Sequence, residues 1–114
     1  MVDCDGTIIK HQHTEDQMLS KEPEILDGVL ETFEWWYMSG YVVFITSARQ
    51  ESGRKRTVEQ LTSIGIPPRY YRELLMDVGA GERWVINDAK PDMPITARAF
   101  TVERDGGLGE FLHK

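Results

Sequence analysis

Cysteine is almost absent from this chain of 114 residues: Cys4 is the only one. A lone cysteine excludes an internal disulfide, and nothing argues against a reducing, cytoplasmic setting. No apolar run approaches the roughly 20 residues of a membrane span, and no basic start leads into an apolar stretch like that of a signal peptide. A membrane is therefore not an expected partner. Gly-x4-Gly-Lys-Ser/Thr is missing, which excludes an attached kinase of that type. Cys-x5-Arg is missing as well, because Lys10 stands six residues after Cys4. Cys4 is accordingly read as a strand filler rather than a phosphatase nucleophile. Positive charge is also scarce: the net charge of −6 argues against nucleic acid as a general partner. There is no internal repeat and no low-complexity segment.

What remains suits one domain spanning 1–114, with 40% apolar residues and three tryptophans to build a core. Its organising stretch is the beginning, Met1 to Ile9, which reads Met-Val-Asp-Cys-Asp-Gly-Thr-Ile-Ile. Residues two apart share a strand face, and Gly6 signals that the strand has ended. Asp3 and Asp5 thus stand at a carboxyl end, where open α/β sheets bind ligands. Two crowded carboxylates repel unless a cation joins them or one keeps its proton. Only Met1 and Val2 precede Asp3, whereas strands usually run to about 5–6 residues. A charged amino terminus there would be costly, so the native chain is expected to begin a few residues upstream.

Residues 10–24 are polar and irregular. His11 and His13 are candidate metal or substrate contacts, though histidines two apart with no third partner nearby in sequence read first as solvated residues. From Asp27 or Gly28 to Ser39 the spacing of Val29, Leu30, Phe33, Trp36 and Tyr37 predicts a helix, closed by Gly40. Trp35 falls off that stripe, as packing against a loop or as a subunit contact. Tyr41 to Ile45 reads as a strand covered on both faces, ending in Thr46-Ser47-Ala48-Arg49. Ser52 can cap a helix to about Ile64 with Val58, Leu61 and Ile64 inward, stopped by Gly65 and Pro67-Pro68. Arg49, Arg54, Lys55 and Arg56 are a basic cluster. Arg49 is set apart by its place in the strand-to-helix turn, where a forked donor suits phosphate or carboxylate. Residues 70–76 suggest a third strand, and Asp77 to Glu82 a flexible turn. Trp84-Val85-Ile86 reads as a buried strand delivering Asp88, and Ala97 to Val102 as a last one. Arg104 to Gly109 is then a loop beside the site or a frayed tail. Strand and helix alternate, which predicts a parallel, doubly wound sheet.

The set Asp-Cys-Asp-Gly-Thr, Ile-Thr-Ser-Ala-Arg and Val-Ile-Asn-Asp-Ala-Lys-Pro-Asp resembles motifs I, II and IV of the haloacid dehalogenase superfamily. Its small capless phosphatases are the most similar members, and the likeness spans nearly the whole chain. The resemblance implies a Rossmann-like three-layer fold with strand order 5-4-1-2-3, no cap domain, and a small flap hairpin after motif I. It also implies a magnesium-dependent phosphomonoesterase, a hydrolase working through an aspartyl-phosphate on a small phosphate ester such as a sugar phosphate. Asp3 would be the nucleophile and Asp5 the general acid and base. Thr46 would hydrogen-bond the phosphoryl group, with Gly6, Thr7, Ser47 and Arg49 around the substrate. Mg²⁺ would be held by Asp3, Asp5 and Asp88, with Asp92 in support.

The sequence departs from that pattern at the third motif, because no lysine stands between Arg56 and Trp84. Lys90 is the first candidate for its charge-stabilising role, ahead of Arg83 and Arg49. Absence of a cap, with Trp35, makes a homo-oligomer a further expectation. Two other functions fit the same residues. One is a polynucleotide-end (3′-phosphate) phosphatase, motivated by the basic cluster. The other is a module that binds phosphate without turnover.

Overall fold

The chain, seen in a computed structural model, is described for residues 1–112. Three short parallel strands form its sheet: β1 (Val2–Asp3), β2 (Phe44–Thr46) and β3 (Glu73–Leu75), in the order β1-β2-β3. Asp3 lies opposite Thr46, and Thr46 opposite Leu75, so all three tips align at one end of the sheet. Three helices accompany them: α1 (Glu15–Ser20), α2 (Val29–Met38) and α3 (Arg54–Ser63). Cys4, Ile8, Phe33, Ile45, Leu61 and Ile66 are fully buried between sheet and helices.

The expected five-stranded Rossmann-like sheet in the order 5-4-1-2-3 does not form. Among the described residues the sheet has three strands. Trp84 to Ile86 and Ala97 to Val102 make no ladder, and Trp84, Val85, Ile86 and Phe100 are 78%, 54%, 89% and 61% exposed. The physical reason lies in the edge they would join. β1 is two residues long, too short a template for another strand's hydrogen bonds. An apolar run becomes a strand only when a neighbour takes its N–H and C=O groups. The molecule is elongated, 48 × 27 × 25 Å, with a radius of gyration of 14.5 Å against about 13 Å for a compact chain of this size.

Helix α2 follows its pattern with one shift. Val29, Thr32 and Phe33 face the core, whereas Tyr37 lies at the edge and stacks on Tyr70 at 4.8 Å between ring centroids. Trp35 packs edge-on against Tyr41 at 5.8 Å, the loop-packing arrangement. Helix α3 begins later than expected, because Glu51–Gly53 is a 3-10 turn and Ser52 makes no capping bond. Its inward residues are Thr57, Gln60 and Leu61. Val58 and Ile64 are only partly buried. Tyr41 and Val42 are exposed, so β2 is shorter than its apolar run.

Residues 10–24 hold a helix rather than a flap hairpin. Thr14 caps α1 by accepting from the Gln17 amide, while the Gln17 side chain accepts from the His13 amide. This variant of the capping box, with Glu15 and Asp16 in the first turn, suits the helix dipole. Ile9 and Ile25 then form an isolated antiparallel bridge that closes the excursion.

The segment after Val102 returns to the body of the fold. The Asp105 amide donates to Gly6 O at 2.8 Å, the Leu108 amide to Asp27 O at 2.9 Å, and Leu108 itself is buried. Gly107 makes that approach possible: its φ is +82°, and a Cβ there would lie 2.0 Å from Asp27 O. Gly40 has a similar φ of +80° with nothing within 4 Å. Gly40→Ala should therefore cost only the left-handed penalty, about 1–2 kcal/mol. Gly107→Ala adds a backbone collision and should cost about 1–3 kcal/mol more. Urea unfolding of the two variants checks this, and equal losses would contradict the packing described for the tail.

Candidate functional site

The tip of β1 turns sharply into the Asp-Gly-Thr sequence. Cys4 is buried, its amide donates to Thr46 O, and its carbonyl accepts from the Thr7, Ile8 and Ile9 amides at 3.2, 2.8 and 3.2 Å. Gly6 takes a φ of +89° and donates back to Ile9 O. With Cys4 directed inward, Asp3 and Asp5 on either side line an open cavity of about 370 Å³. Gly6, Thr7, His11 and Arg49 line it too, so with Asp3 and Asp5 six residues singled out as candidate catalytic, substrate or metal contacts meet here. Arg83 arrives from the loop after β3, Arg104 from the returning tail and Glu15 from α1.

Arg49 dominates the floor. Its Nε donates to Asp5 Oδ2 at 2.9 Å and its Nη2 to Asp5 Oδ1 at 2.8 Å, a two-pronged ion pair. Nη1 donates to Thr57 Oγ1 at 2.9 Å and Gln60 Oε1 at 2.5 Å. The side chains of Arg49 and Asp5 are 1% and 12% exposed. Four bonds leave one of five guanidinium N–H groups for anything else. Burial works to lower the Arg49 pKa, but the Asp5 bonds and nearby negative charge outweigh it and leave it above the ordinary value. Gln60 is held in turn, donating to Met18 O at 2.7 Å and Lys21 O at 3.1 Å. The network therefore joins β1, β2's turn, α3 and the α1 segment.

Thr46 and Ser47 are buried beneath the cavity and do not line it. Ser47 Oγ accepts from the Arg49 amide at 3.0 Å and so shapes the turn that aims Arg49. Asp88, Lys90 and Asp92 lie on the exposed stretch and are not brought to the cavity. Asp88 is bound instead by Lys90 at 2.5 Å, and its carbonyl accepts from Thr96. Among the described residues no group of three or more His, Cys, Asp or Glu is placed to hold a metal ion. Asp3, Asp5, Asp88 and Asp92 thus do not come together as the expected magnesium site.

Asp3 faces the cavity and makes no ion pair among the described residues. Burial raises its pKa and Asp5 adds to the rise, while the Cys4 amide and the charge of Arg83 oppose it. Burial also pushes the Cys4 thiol far up, which leaves it unreactive. Arg83 donates to Gly81 O at 3.0 Å, and neither it nor Arg104 has a carboxylate within ion-pair reach among the described residues. In the basic cluster, by contrast, Arg54 pairs with Glu51 and Arg56 with Glu22.

Sequence reasoning did not single out Glu15 or Arg104. Glu15 carried a signal in Thr14-x-x-Gln17, a helix start beside the site. Arg104 carried one only as the start of a stretch read as a loop beside the site or a frayed tail, and the tail's return over Gly6 makes it the loop. Thr57 and Gln60, three apart on an inward helix face, were a sign of a buried polar partner. No protein-family model, curated protein or solved structure matches the chain.

Removing the Arg49 charge strands Asp5. Arg49→Met should cost about 3–5 kcal/mol in urea unfolding, as expected when one member of a buried pair is lost. Arg49→Lys keeps a charge without the fork and should lose less. A Met variant within about 1 kcal/mol of wild type would show the pair to be of surface strength.

Proposed function

We propose that the cavity at the β1 tip is the active site of a phosphomonoesterase with Asp3 as its nucleophile. One observation carries the reading. The Asp3 carboxylate, which makes no ion pair among the described residues, faces a cavity to which Arg83 and Arg104 bring positive charge. Anionic substrate needs that charge in a protein of net charge −6. The likeness of Asp-Cys-Asp-Gly-Thr to a phosphatase nucleophile motif supports the same assignment.

In this reading an Asp3 oxygen attacks phosphorus, the ester P–O bond breaks, and the phosphoryl group passes to the carboxylate. Asp5 relays a proton from a water molecule to the leaving alkoxide, and the hydroxide so formed hydrolyses the aspartyl-phosphate, releasing phosphate and restoring the Asp3 carboxylate. The bonds of Asp5 to Arg49 do not forbid this, since each carboxylate oxygen keeps a further lone pair. Arg83 offsets charge on the transferring group, and the Gly6-Thr7 turn lets that group approach the main chain. No step is assigned to a metal, because the acids expected to hold one are not gathered.

A second reading, a phosphate-binding module without turnover, is favoured by the same Asp5 pair. Both Asp5 oxygens already accept from Arg49, which suits a carboxylate that is fixed in place as part of the architecture. The polynucleotide reading is weakened, because two of the cluster's arginines are already paired.

Sugar phosphates, nucleotides and phosphorylated oligonucleotides, each with and without magnesium, separate these readings. Wild type should turn over a small ester, and Asp3→Asn should be slower by at least about a thousandfold. Borohydride trapping followed by mass spectrometry should place the phosphoryl group on Asp3. Equal turnover by both proteins would remove Asp3 as nucleophile, and phosphate binding without turnover would leave the second reading.

A further inference from the structure

Arg104 reaches the cavity by a route that the chain has secured with unusual care. The Asp105 amide donates to Gly6 O and the Asp105 side chain accepts from the His11 amide, both at 2.8 Å. The Gly106 amide donates to Glu103 O at 3.0 Å, and the Leu108 amide donates to Asp27 O at 2.9 Å, just before α2. Asp105 itself sits at a φ of +62°, a left-handed conformation that non-glycine residues rarely hold without cause. The loop is thus tied to the Asp-Gly-Thr turn, to the start of the 10–24 segment and to the chain entering α2. The stem of Arg104 lies over the turn, its Cγ 3.4 Å from where a Gly6 Cβ would be.

The guanidinium so delivered has no ion-pair partner and no hydrogen bond among the described residues. It is exposed, so the fold does not depend on its charge. Its position also differs from that of Arg83. Arg83 reaches the cavity from the loop after β3, whereas Arg104 comes from the tail tied to Gly6 and His11. The two guanidiniums therefore enter the cavity from different elements.

We infer that Arg104 is a specificity residue that binds a second anionic group of the substrate, a carboxylate or another phosphate, apart from the group that reacts. The inference rests on reading the cavity as a phosphate-ester site. It narrows the substrate class to small esters carrying two anionic groups, one for Asp3 and Arg83 and one for Arg104. A forked donor suits either group, and the loop fixes its position before the ligand arrives.

Binding of compounds that cannot turn over tests this separately from catalysis. Methylphosphonate presents one anionic group, phosphonoacetate adds a carboxylate, and methylenediphosphonate adds a second phosphonate. Calorimetry in metal-free buffer should show wild type preferring at least one of the two-group compounds. Arg104→Gln should weaken the preferred compound by about tenfold or more, as for loss of a charge-assisted bond. Its methylphosphonate affinity should stay within about twofold, and Arg104→Lys should fall between. Circular dichroism of both variants should match wild type. No preference in wild type, or equal weakening of all three compounds, would overturn the inference. Discrimination that persists while Asp3→Asn matches wild type in turnover would sink the phosphatase reading and leave Arg104 as an anion-recognition residue.

Discussion

The ion pair between Arg49 and Asp5 sets the terms for everything around it. A guanidinium taken out of water is costly unless all its donors find partners. Arg49 meets most of that demand, with four of its five N–H groups on Asp5, Thr57 and Gln60, and Gln60 passes the constraint on to Met18 and Lys21. One buried charge thereby fixes the turn after β1, the face that α3 turns inward and the placement of the 10–24 segment. The cavity is the space left above that network, and its shape follows from it.

This explains why two aspartates in one short motif have different environments. Cys4 between them is buried, so the chain must display both outward, yet only Asp5 lies over the Arg49 fork. Asp3 keeps its lone pairs for the cavity, with burial raising its pKa and Arg83 restraining the rise. An acidic protein thus assembles a locally compensated site, in which one arginine serves the architecture and two others face the open space. The tail matters as much as the first strand. Without Gly107's left-handed turn and the Asp105 contacts, Arg104 would not stand over Gly6.

Local signals in the sequence were legible where each element could satisfy itself. The Asp-Gly-Thr turn and helix α2 with its glycine stop follow from spacing and turn residues, and strands form within or beside the stretches 41–45 and 70–76, though shorter, as Phe44–Thr46 and Glu73–Leu75. The five-stranded order was not available, because it depended on edge pairing. Trp84-Val85-Ile86 looks like a strand by composition, but pairing requires a template and β1 supplies two residues. Arg49 shows the same limit at the scale of one side chain. A forked donor in a strand-to-helix turn suits a substrate phosphate and an internal carboxylate equally well. The polar pair Thr57 and Gln60 on α3's inward face was the only mark distinguishing them. Arg104 needed the tail's return, which no local pattern encodes.

The measurement closest to this account is a double-mutant cycle between Asp5→Asn and Arg49→Met, read by urea unfolding. A buried, two-pronged pair on which the surrounding network depends should show a coupling of about 2–3 kcal/mol, with the double variant more stable than the sum of the single losses allows. Additivity within about 0.5 kcal/mol would mean that the two side chains act independently, and the network would not be what holds the cavity together.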